Sequence, residues 1–414
     1  MVAGERAQIV AHEPAVVAAM VRAEFVPGDH AEVVATRSAV DYQHCYVHVP
    51  FCARRCSYCD FAIAVRRIVP VAEYTGALAR EWEIRGLSAS TRELQTLYFG
   101  GGTPSLLGTT GIADLMQWFR SVVCISDNAE ITLEANPEDI TPQSVAAWKS
   151  AGINRLSIGV QSFDDNVLKW MHRVHDAAAA SQAAGTARDG GIEAFSVDLI
   201  FALPEALHRN WERDLDCTLG LNADHVSLYG LTIEPRTPLG KWQARGEVID
   251  APEDQYAEEF LLAHERLAAN GYEHYEVSNF ARPGKRALHN SAYWNGVPYI
   301  GLGPAAHGFD GLTRRGNVAP YQGWVGKVAD RCDPVADTEL LSAENRVTEA
   351  IYLGLRTADG LETTPADEVL VSRWIQAGWL QRLDSTQTSR VRCTPAGWLR
   401  LDRLAADLAA LRSH

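Results

Sequence analysis

The stretch VPFCARRCSYCDF, residues 49 to 61, places three cysteines in one loop directly after a short apolar run. They are Cys52, Cys56 and Cys59, with the spacing CxxxCxxC. Thiolates are soft ligands that bind iron–sulfur clusters and zinc. A structural zinc site uses four protein ligands, whereas three sulfurs on a four-iron cube leave one iron open for an exchangeable ligand. The count therefore indicates a 4Fe-4S cluster; three separately buried cysteines or a partial zinc knuckle are the alternative.

Charge and cysteine usage narrow the class of protein. With a net charge of -14 and a pI near 5.4, most of the surface repels phosphate backbones, so we expect no nucleic-acid partner. The other five cysteines are scattered along the chain, which favours a reducing compartment. The apolar run near the N-terminus is too short for a secretory core or a membrane span. We therefore expect a cytoplasmic protein, for which weak association with a membrane surface stays open.

Strand-like and helix-like segments alternate through the first half of the chain. Short apolar runs of β type lie at 45–50, 95–99, 130–135, 155–160, 194–201 and 225–231. Amphipathic stretches of helical length lie between them, at 71–87, 111–123, 142–151, 177–190 and 210–221. Such alternation predicts an α/β fold with parallel strands, and six units indicate a curved sheet that forms most of a barrel. The chemistry of this class gathers at the C-terminal ends of the strands.

At 414 residues the chain exceeds what one hydrophobic core usually organises, and we divide it into four parts. These are an N-terminal extension (1–40), the barrel (41–240), a completing region (241–335) and a smaller C-terminal α+β module (336–414). A further helix is predicted at 253–270. In the last part, helices at 342–355 and 368–377, a hairpin of 379–383 with 390–394 and a final helix at 396–411 resemble a winged-helix module. Because the chain is acidic, we interpret it as a cap or docking surface rather than a DNA reader.

Polar residues and glycines mark the predicted strand ends. The run GGGTP, residues 100 to 104, ends the second strand, and glycines let the backbone approach a ligand closely. Glu134, Gln161 and Asp198 lie on the third, fourth and fifth strands, and Arg173 follows the fourth. Each alone is compatible with a surface residue or a helix cap. Their order and spacing predict one pocket that holds charged and hydroxyl groups.

The cysteine spacing, with Tyr58 before the last cysteine, and the GGxTP element resemble the radical S-adenosylmethionine (SAM) superfamily. The resemblance implies a partial (β/α)6 barrel, open at one side, and a cluster whose open iron is chelated by SAM. Over about residues 42 to 310 the chain is similar to the coproporphyrinogen III dehydrogenase (HemN-like) branch. That similarity implies a SAM-binding set made up of Tyr46, Tyr58, Gly101, Gly102, Thr103, Glu134, Gln161, Arg173 and Asp198.

Two features distinguish members of this branch. The oxygen-independent dehydrogenase carries a further cysteine two residues after the third ligand, where this chain has Phe61. The run HNSAYW, residues 289 to 294, resembles the HNxxYW motif of HemW-type heme chaperones, which implies heme handling by His289, Asn290, Tyr293 and Trp294. Without the family, the same six residues favour aromatic core packing around a hydrogen-bonded histidine. His307 is a second, lower-ranked candidate for an iron ligand.

The sequence therefore predicts a heme chaperone that uses a 4Fe-4S cluster and SAM and passes heme to an acceptor hemoprotein, as in respiration. The first alternative is the oxygen-independent coproporphyrinogen III oxidase (dehydrogenase) of heme biosynthesis. An RNA-modifying radical SAM enzyme and a purely structural iron–sulfur protein are further alternatives. Whether SAM is cleaved, and hence whether the protein is an enzyme, stays open. A barrel with an open side is compatible with a homodimer.

Overall fold

The computed structural model describes residues 40–383 and 389–413. The predicted N-terminal extension, 1–40, lies outside the described residues except for its last position.

A curved sheet organises the first half of the chain. Its strands and two short neighbours are β1 (His44–Val49), β2 (Phe51–Cys52), β3 (Ala64–Val65), β4 (Glu93–Gly101), β5 (Cys124–Ala135), β6 (Arg155–Gln161), β7 (Ala194–Phe201) and β8 (His225–Gly230). Strands β1, β4, β5, β6, β7 and β8 are adjacent in that order and all parallel. The prediction of an α/β partial barrel with six parallel strands is therefore confirmed.

Helices follow the barrel strands and cover the outside of the sheet. They are α1 (Val71–Ile84), α2 (Gly108–Val122), α3 (Pro142–Ala151), α4 (Asp165–Trp170), α5 (Ala177–Asp189) and α6 (Trp211–Leu221). The ends of α3 match the prediction to the residue, because Thr141 and Ser144 form a capping box. Gly152, with φ of 104°, ends that helix.

The next part of the chain extends both edges of the sheet. It contains β9 (Glu273–Glu276), β10 (Asn279–Ala281), β11 (Ile300–Leu302), β12 (His307–Phe309), β13 (Thr313–Asn317), β14 (Val335–Leu340), α7 (Pro238–Ala244), α8 (Glu253–Ala269), α9 (Leu288–Trp294) and α10 (Tyr321–Ala329). Strand β11 pairs parallel to β1, and β10 with β9 adds antiparallel strands beyond β8. The helix predicted at 253–270 is confirmed by α8. The sequence pattern did not predict α7 or these short edge strands.

The C-terminal part is a small α+β unit, as predicted. It contains α11 (Ala343–Arg356), β15 (Leu361–Glu362), α12 (Glu368–Gln376), β16 (Leu380–Leu383), β17 (Arg390–Cys393), α13 (Pro395–Trp398) and α14 (Leu401–Arg412). The strands form an antiparallel sheet in the order β15-β17-β16. The single final helix predicted at 396–411 is wrong: the chain forms two helices, and the indole of Trp398 donates to the carbonyl of Leu355 at 3.0 Å. That tertiary hydrogen bond fixes the end of α13.

One predicted boundary between parts of the chain falls at a strand. Strand β14 crosses the predicted boundary at 335 because it pairs with β13. The division into four parts stays a prediction, and we propose that the last boundary follows Leu340. No helix within the described residues is long and apolar enough to cross a lipid bilayer.

Candidate cluster and nucleotide site

One cavity lies where the barrel strands end. The three cysteines of the loop line it, together with most of the residues predicted to bind SAM: Tyr58, Gly101, Gly102, Thr103, Glu134, Gln161, Arg173 and Asp198. The rule that parallel strands present their C-terminal ends to one site explains why residues so distant in sequence meet here. The structure therefore brings the predicted cluster loop and the predicted nucleotide residues together.

The cysteines differ in exposure and in their polar contacts. Cys52 is nearly buried, and Cys56 and Cys59 are half-buried. The hydroxyl of Thr103 donates to Sγ of Cys52, and the guanidinium of Arg173 donates to Sγ of Cys56, both at 3.6 Å. Such donors stabilise negative charge on sulfur, which a cluster-bound thiolate carries.

Metal binding has to deprotonate these thiols. Burial raises the pKa of Cys52 to about 11 and the pKa of Cys59 to about 12, so both are protonated at neutral pH until a metal binds. Within the described part of the chain, no three His, Cys, Asp or Glu side chains are arranged around a single-ion position. Three soft thiolates suit a four-iron cube, in which each bonds a different iron and the fourth iron stays open, so the chemistry of the donor set fits a cluster.

The glycine run forms a tight wall of the cavity. A Cβ on Gly102 would lie 2.8 Å from the carbonyl oxygen of Phe51, just before the first cysteine. Gly101 has φ of 114°, which favours glycine, and its N–H donates to Oε2 of Glu134 at 3.0 Å. The strand end and the cysteine loop therefore touch through backbone, with no room for side chains between them.

Two buried carboxyl groups face the cavity. Burial raises the pKa of Glu134 to about 7, although the hydroxyl of Tyr98 donates to its Oε1 at 2.9 Å. Burial likewise raises the pKa of Asp198 to about 6, against hydrogen bonds from Ser157 at 3.0 Å and Ser196 at 3.3 Å. A bound cation would favour the ionised forms of both groups. The pocket is therefore suited to a ligand that carries positive charge.

Arg173 and Gln161 complete the lining of the cavity. Nη2 of Arg173 donates to Asn136 Oδ1 at 2.8 Å and to the carbonyl of Gly159 at 2.7 Å. Its Nε is buried, and no residue that the structure describes accepts from it. Gln161 has φ of 70°, a left-handed conformation that is uncommon outside functional sites for a residue of this type. The buried Nε of Arg173 is a hydrogen-bond donor without an acceptor, next to the strained backbone of Gln161. It fits an acceptor group on a bound ligand.

Tyr46 is the predicted SAM-binding residue that the structure does not bring to the cavity lining. Its ring stacks on Tyr98 with centroids 6.0 Å apart, and its hydroxyl lies 3.1 Å from Nδ1 of His48. Tyr98 in turn donates to Glu134. Tyr46 therefore supports the carboxylate through one intervening ring.

The four HNxxYW residues are buried and do not line this cavity, and His289 stacks on Tyr46 and Tyr98 inside the barrel. His289 is 1% exposed, with Nδ1 at 2.7 Å from Thr96 Oγ1 and Nε2 at 2.7 Å from the hydroxyl of Tyr293. Burial holds its pKa well below the usual value, so the imidazole is neutral. In this conformation both ring nitrogens are engaged, and iron ligation by His289 requires one of these hydrogen bonds to break.

The rest of the motif is packed in the same way. Asn290 is buried, and Tyr293 and Trp294 pack in one cluster with Tyr299, Phe309, Leu341 and Leu353. The guanidinium of Arg356 lies 4.0 Å above the Trp294 ring. His307, the lower-ranked candidate, is half-buried at the start of β12. The geometry matches the interpretation of these aromatic residues as core.

Sequence reasoning missed several lining residues, among them Ser157, His172 and Tyr229. One signal was available: Ser157, Gly159 and Gln161 alternate along β6 and all face the cavity. Nothing local distinguishes His172 or Tyr229 from other polar positions near strand and helix ends.

Comparison with known proteins agrees with the geometry. The chain matches the Radical SAM superfamily profile over residues 46–216. It is 36% identical over 317 residues to heme chaperone HemW of Bacillus subtilis, covering 76% of this chain and 84% of that protein. It is 38% identical over 319 residues to heme chaperone HemW of Mycobacterium tuberculosis, covering 76% and 82%.

A solved structure gives the same fold. Coproporphyrinogen III oxidase (HemN) from Escherichia coli, a radical SAM enzyme, superimposes with a TM-score of 0.74 and 22% identity, covering 90% of this chain and 91% of that one. At that identity the likeness shows the fold alone. The sequence similarity to the chaperones is higher and extends over most of both chains, so the chain belongs to the HemW family of the radical SAM superfamily.

Proposed function

We propose that the protein is a heme chaperone, which binds heme next to a SAM-coordinated 4Fe-4S cluster and passes the heme to an acceptor hemoprotein. The observation that carries the proposal is the meeting of three cysteines and four charged or amide-bearing side chains in one cavity, those of Glu134, Gln161, Arg173 and Asp198. Two relatives that are named heme chaperones and cover most of this chain support it.

Each group has a proposed task. Cys52, Cys56 and Cys59 hold three irons of the cluster, which when bound supplies a redox-active iron open to SAM. Glu134 and Asp198 face the cationic and hydroxyl-bearing parts of SAM, and Arg173 faces its carboxylate. Tyr58, Gly101, Gly102, Thr103 and Gln161 shape the pocket around it, and Tyr46 supports Glu134 through Tyr98.

Phe61 favours the chaperone over the dehydrogenase. It lines the cavity at the position where the dehydrogenase carries a further cysteine. An apolar ring there cannot serve as a thiol donor. His289, Asn290, Tyr293 and Trp294 stay proposed heme-handling residues, on the condition that α9 loosens enough to release a nitrogen of His289.

The proposal extends to place and partners. We propose that the protein acts in the cytoplasm and that its acceptor is a respiratory hemoprotein. It contacts a membrane surface only where the acceptor lies at the membrane. A homodimer is the proposed state that covers the open side of the barrel. The acidic surface, with a net charge of -14, supports a protein rather than a nucleic-acid partner.

The experiment uses protein reconstituted with iron and sulfide without oxygen, with SAM added. Hemin is titrated and followed by absorbance, and the loaded protein is then mixed with an apo-hemoprotein whose own heme spectrum reports transfer. Saturable binding followed by transfer is the expected result. Absence of any saturable heme spectrum contradicts the proposal, and SAM-dependent loss of coproporphyrinogen III under reducing conditions supports the dehydrogenase instead.

A further inference from the structure

His172 is a histidine at the rim of the cavity. Among the histidines that the structure describes, it is the one that lines this cavity, and it is half-buried rather than enclosed. Its φ is 60°, the left-handed conformation common just after a helix, and here it ends α4: the N–H of His172 donates to the carbonyl of Lys169 at 3.0 Å, and the N–H of Arg173 donates to that of Leu168 at 2.8 Å.

The cysteine loop is attached to the end of this helix. Ser57, which is completely buried between two cluster cysteines, donates its N–H to the carbonyl of Met171 at 3.2 Å. Its hydroxyl donates to the carbonyl of Trp170 at 3.1 Å. The two residues before His172 are therefore hydrogen-bonded to the loop that carries the cluster, so the backbone that carries the imidazole is anchored beside that loop.

Two tryptophans flank this imidazole. The ring of His172 meets that of Trp242 edge to face with centroids 5.5 Å apart, and Trp242 lies 6.1 Å from Trp170. Both indoles are half-buried, so aromatic surface faces solvent next to the cavity. Helix α7, which carries Trp242, is also attached to Ser57, because the N–H of Leu239 donates to its carbonyl at 2.8 Å.

This arrangement contrasts with the histidines inside the barrel. His225 and His289 are buried, and each has both ring nitrogens within hydrogen-bond distance of a neighbour. No hydrogen bond between the ring of His172 and another residue is found in the part of the chain that the structure describes. Exposed Arg54 lines the same cavity and is a cation suited to a propionate.

We propose that His172 is an axial ligand for the iron of a porphyrin that lies against Trp242 at the rim of the cavity, with Trp170, whose ring plane is inclined by 57° to that of Trp242, at its edge. An imidazole is a common ligand of heme iron, and a flat indole packs against a porphyrin face. The inference rests on the proposed heme-binding function and names the binding site. It places heme next to the cluster loop rather than in the barrel interior at His289.

The test is hemin titration of cluster- and SAM-loaded protein without oxygen, in the wild type, His172→Gly, His208→Gly and His289→Ala. Glycine is favoured at φ of 60°, so His172→Gly removes the ligand and keeps the turn. His208 is the matched control, because it is exposed and also left-handed, with φ of 49°. Absorbance and electron paramagnetic resonance report the iron ligand. Free imidazole is added to His172→Gly so that it can bind the iron in place of the missing side chain.

We expect His172→Gly to bind hemin at least about tenfold more weakly and to lose the imidazole-ligated spectrum, which added imidazole restores. His208→Gly should bind as the wild type does. If His172→Gly keeps the wild-type spectrum and affinity while His289→Ala loses them, the heme site lies in the barrel interior and the inference is wrong, although the chaperone proposal stands. If the wild type itself binds no hemin, both fail.

Discussion

The guanidinium of Arg356 and the carboxylate of Glu276 form an ion pair of 2.9 Å in which both side chains are almost completely buried. Arg356 ends α11 of the C-terminal unit, and Glu276 ends β9 at the edge of the barrel sheet. The backbone continues the contact, because the N–H of Val277 donates to the carbonyl of Arg356 at 3.2 Å. The C-terminal unit is therefore joined to the barrel beside Trp294 of the HNxxYW motif.

Replacing Arg356 by Met should lower the free energy of unfolding by about 3–5 kcal/mol, because it leaves the buried Glu276 carboxylate without its counter-charge. Urea unfolding followed by circular dichroism measures the loss. The double variant with Glu276→Gln should recover part of it, since no unpaired charge remains. The control is Arg245→Ala, which breaks an exposed pair with Glu247 and should leave the unfolding midpoint unchanged. An unaltered midpoint in Arg356→Met alone contradicts the prediction.

Each of Cys52→Ser, Cys56→Ser and Cys59→Ser should prevent retention of an intact cluster, because a hydroxyl is a poor replacement for a soft thiolate on iron. Iron and sulfide analysis after anaerobic reconstitution should fall from about four irons per chain in the wild type. Cys124→Ser and Cys332→Ser, which alter exposed cysteines elsewhere, are the controls and should retain the cluster. Equal loss in the controls would show that reconstitution, not ligation, fails.

The variant Gly102→Ala should lose SAM binding by about tenfold or more. Its Cβ would lie 2.8 Å from backbone atoms of Pro50 and Phe51, so the glycine strand end has to move away from the cysteine loop. A destabilisation of roughly 1–3 kcal/mol should accompany the shift. Calorimetric titration of SAM into reconstituted protein measures the affinity.

The matched control for this glycine is Gly185→Ala in the interior of α5, where an added Cβ meets nothing within 4 Å. That change should stabilise the protein by about 0.5–1 kcal/mol and leave SAM affinity as it is. Wild-type SAM affinity in Gly102→Ala is the outcome that contradicts close backbone contact at the site.

The pH dependence of stability should report His225. Burial, with Arg155 adding to it, holds the pKa of His225 well below its usual value. The imidazole is neutral in the folded protein, whereas the unfolded chain takes up a proton below about pH 6.5. The free energy of unfolding should therefore fall as the pH falls through about 6.5, by about 1.4 kcal/mol per pH unit from this residue.

Urea unfolding of the wild type and His225→Gln between about pH 7.5 and about pH 5 measures this slope. The variant is less stable at neutral pH, because it loses hydrogen bonds to Ser196 and Tyr275. Its pH dependence should nevertheless be shallower. Burial raises the pKa of Asp198 to about 6, so its protonation raises the free energy of unfolding as the pH falls, by the same amount in both proteins. Parallel curves for wild type and variant would mean that His225 is not neutral in the folded state.

The sequence predicted the barrel well because parallel strands buried on both faces are short continuous apolar runs. Strand β7, Ala194–Phe201, matches the predicted run to the residue. Strands such as β11 were missed because a strand of three residues is too short to show a hydrophobic pattern. Its partner, β1, also lies far away in sequence. Helix α7 was missed for a similar reason: it has only seven residues, beginning at Pro238, and its second residue is hydrogen-bonded to the distant Ser57.

The site was predictable where chemistry follows strand ends, as with Glu134 and Asp198. It was not predictable where the direction of a side chain decides whether it reaches the ligand. Tyr46 and His289 have the same residue types as ligand-binding positions, yet their rings stack in the barrel interior with centroids 6.4 Å apart. An aromatic or imidazole side chain suits a core and a cofactor equally, and sequence does not record which way it points.

The attachment of Ser57 to distant backbone bears on biosynthesis. Its hydroxyl bond to Trp170 spans 113 residues, and its carbonyl accepts from Leu239, still further along the chain. A nascent polypeptide that has exposed only the chain up to the end of β4 therefore presents three thiols without the segments that hold their loop in shape. Iron and sulfide delivery should consequently follow release of most of the barrel from the ribosome, and a chain truncated before α7 should be a poor recipient for them.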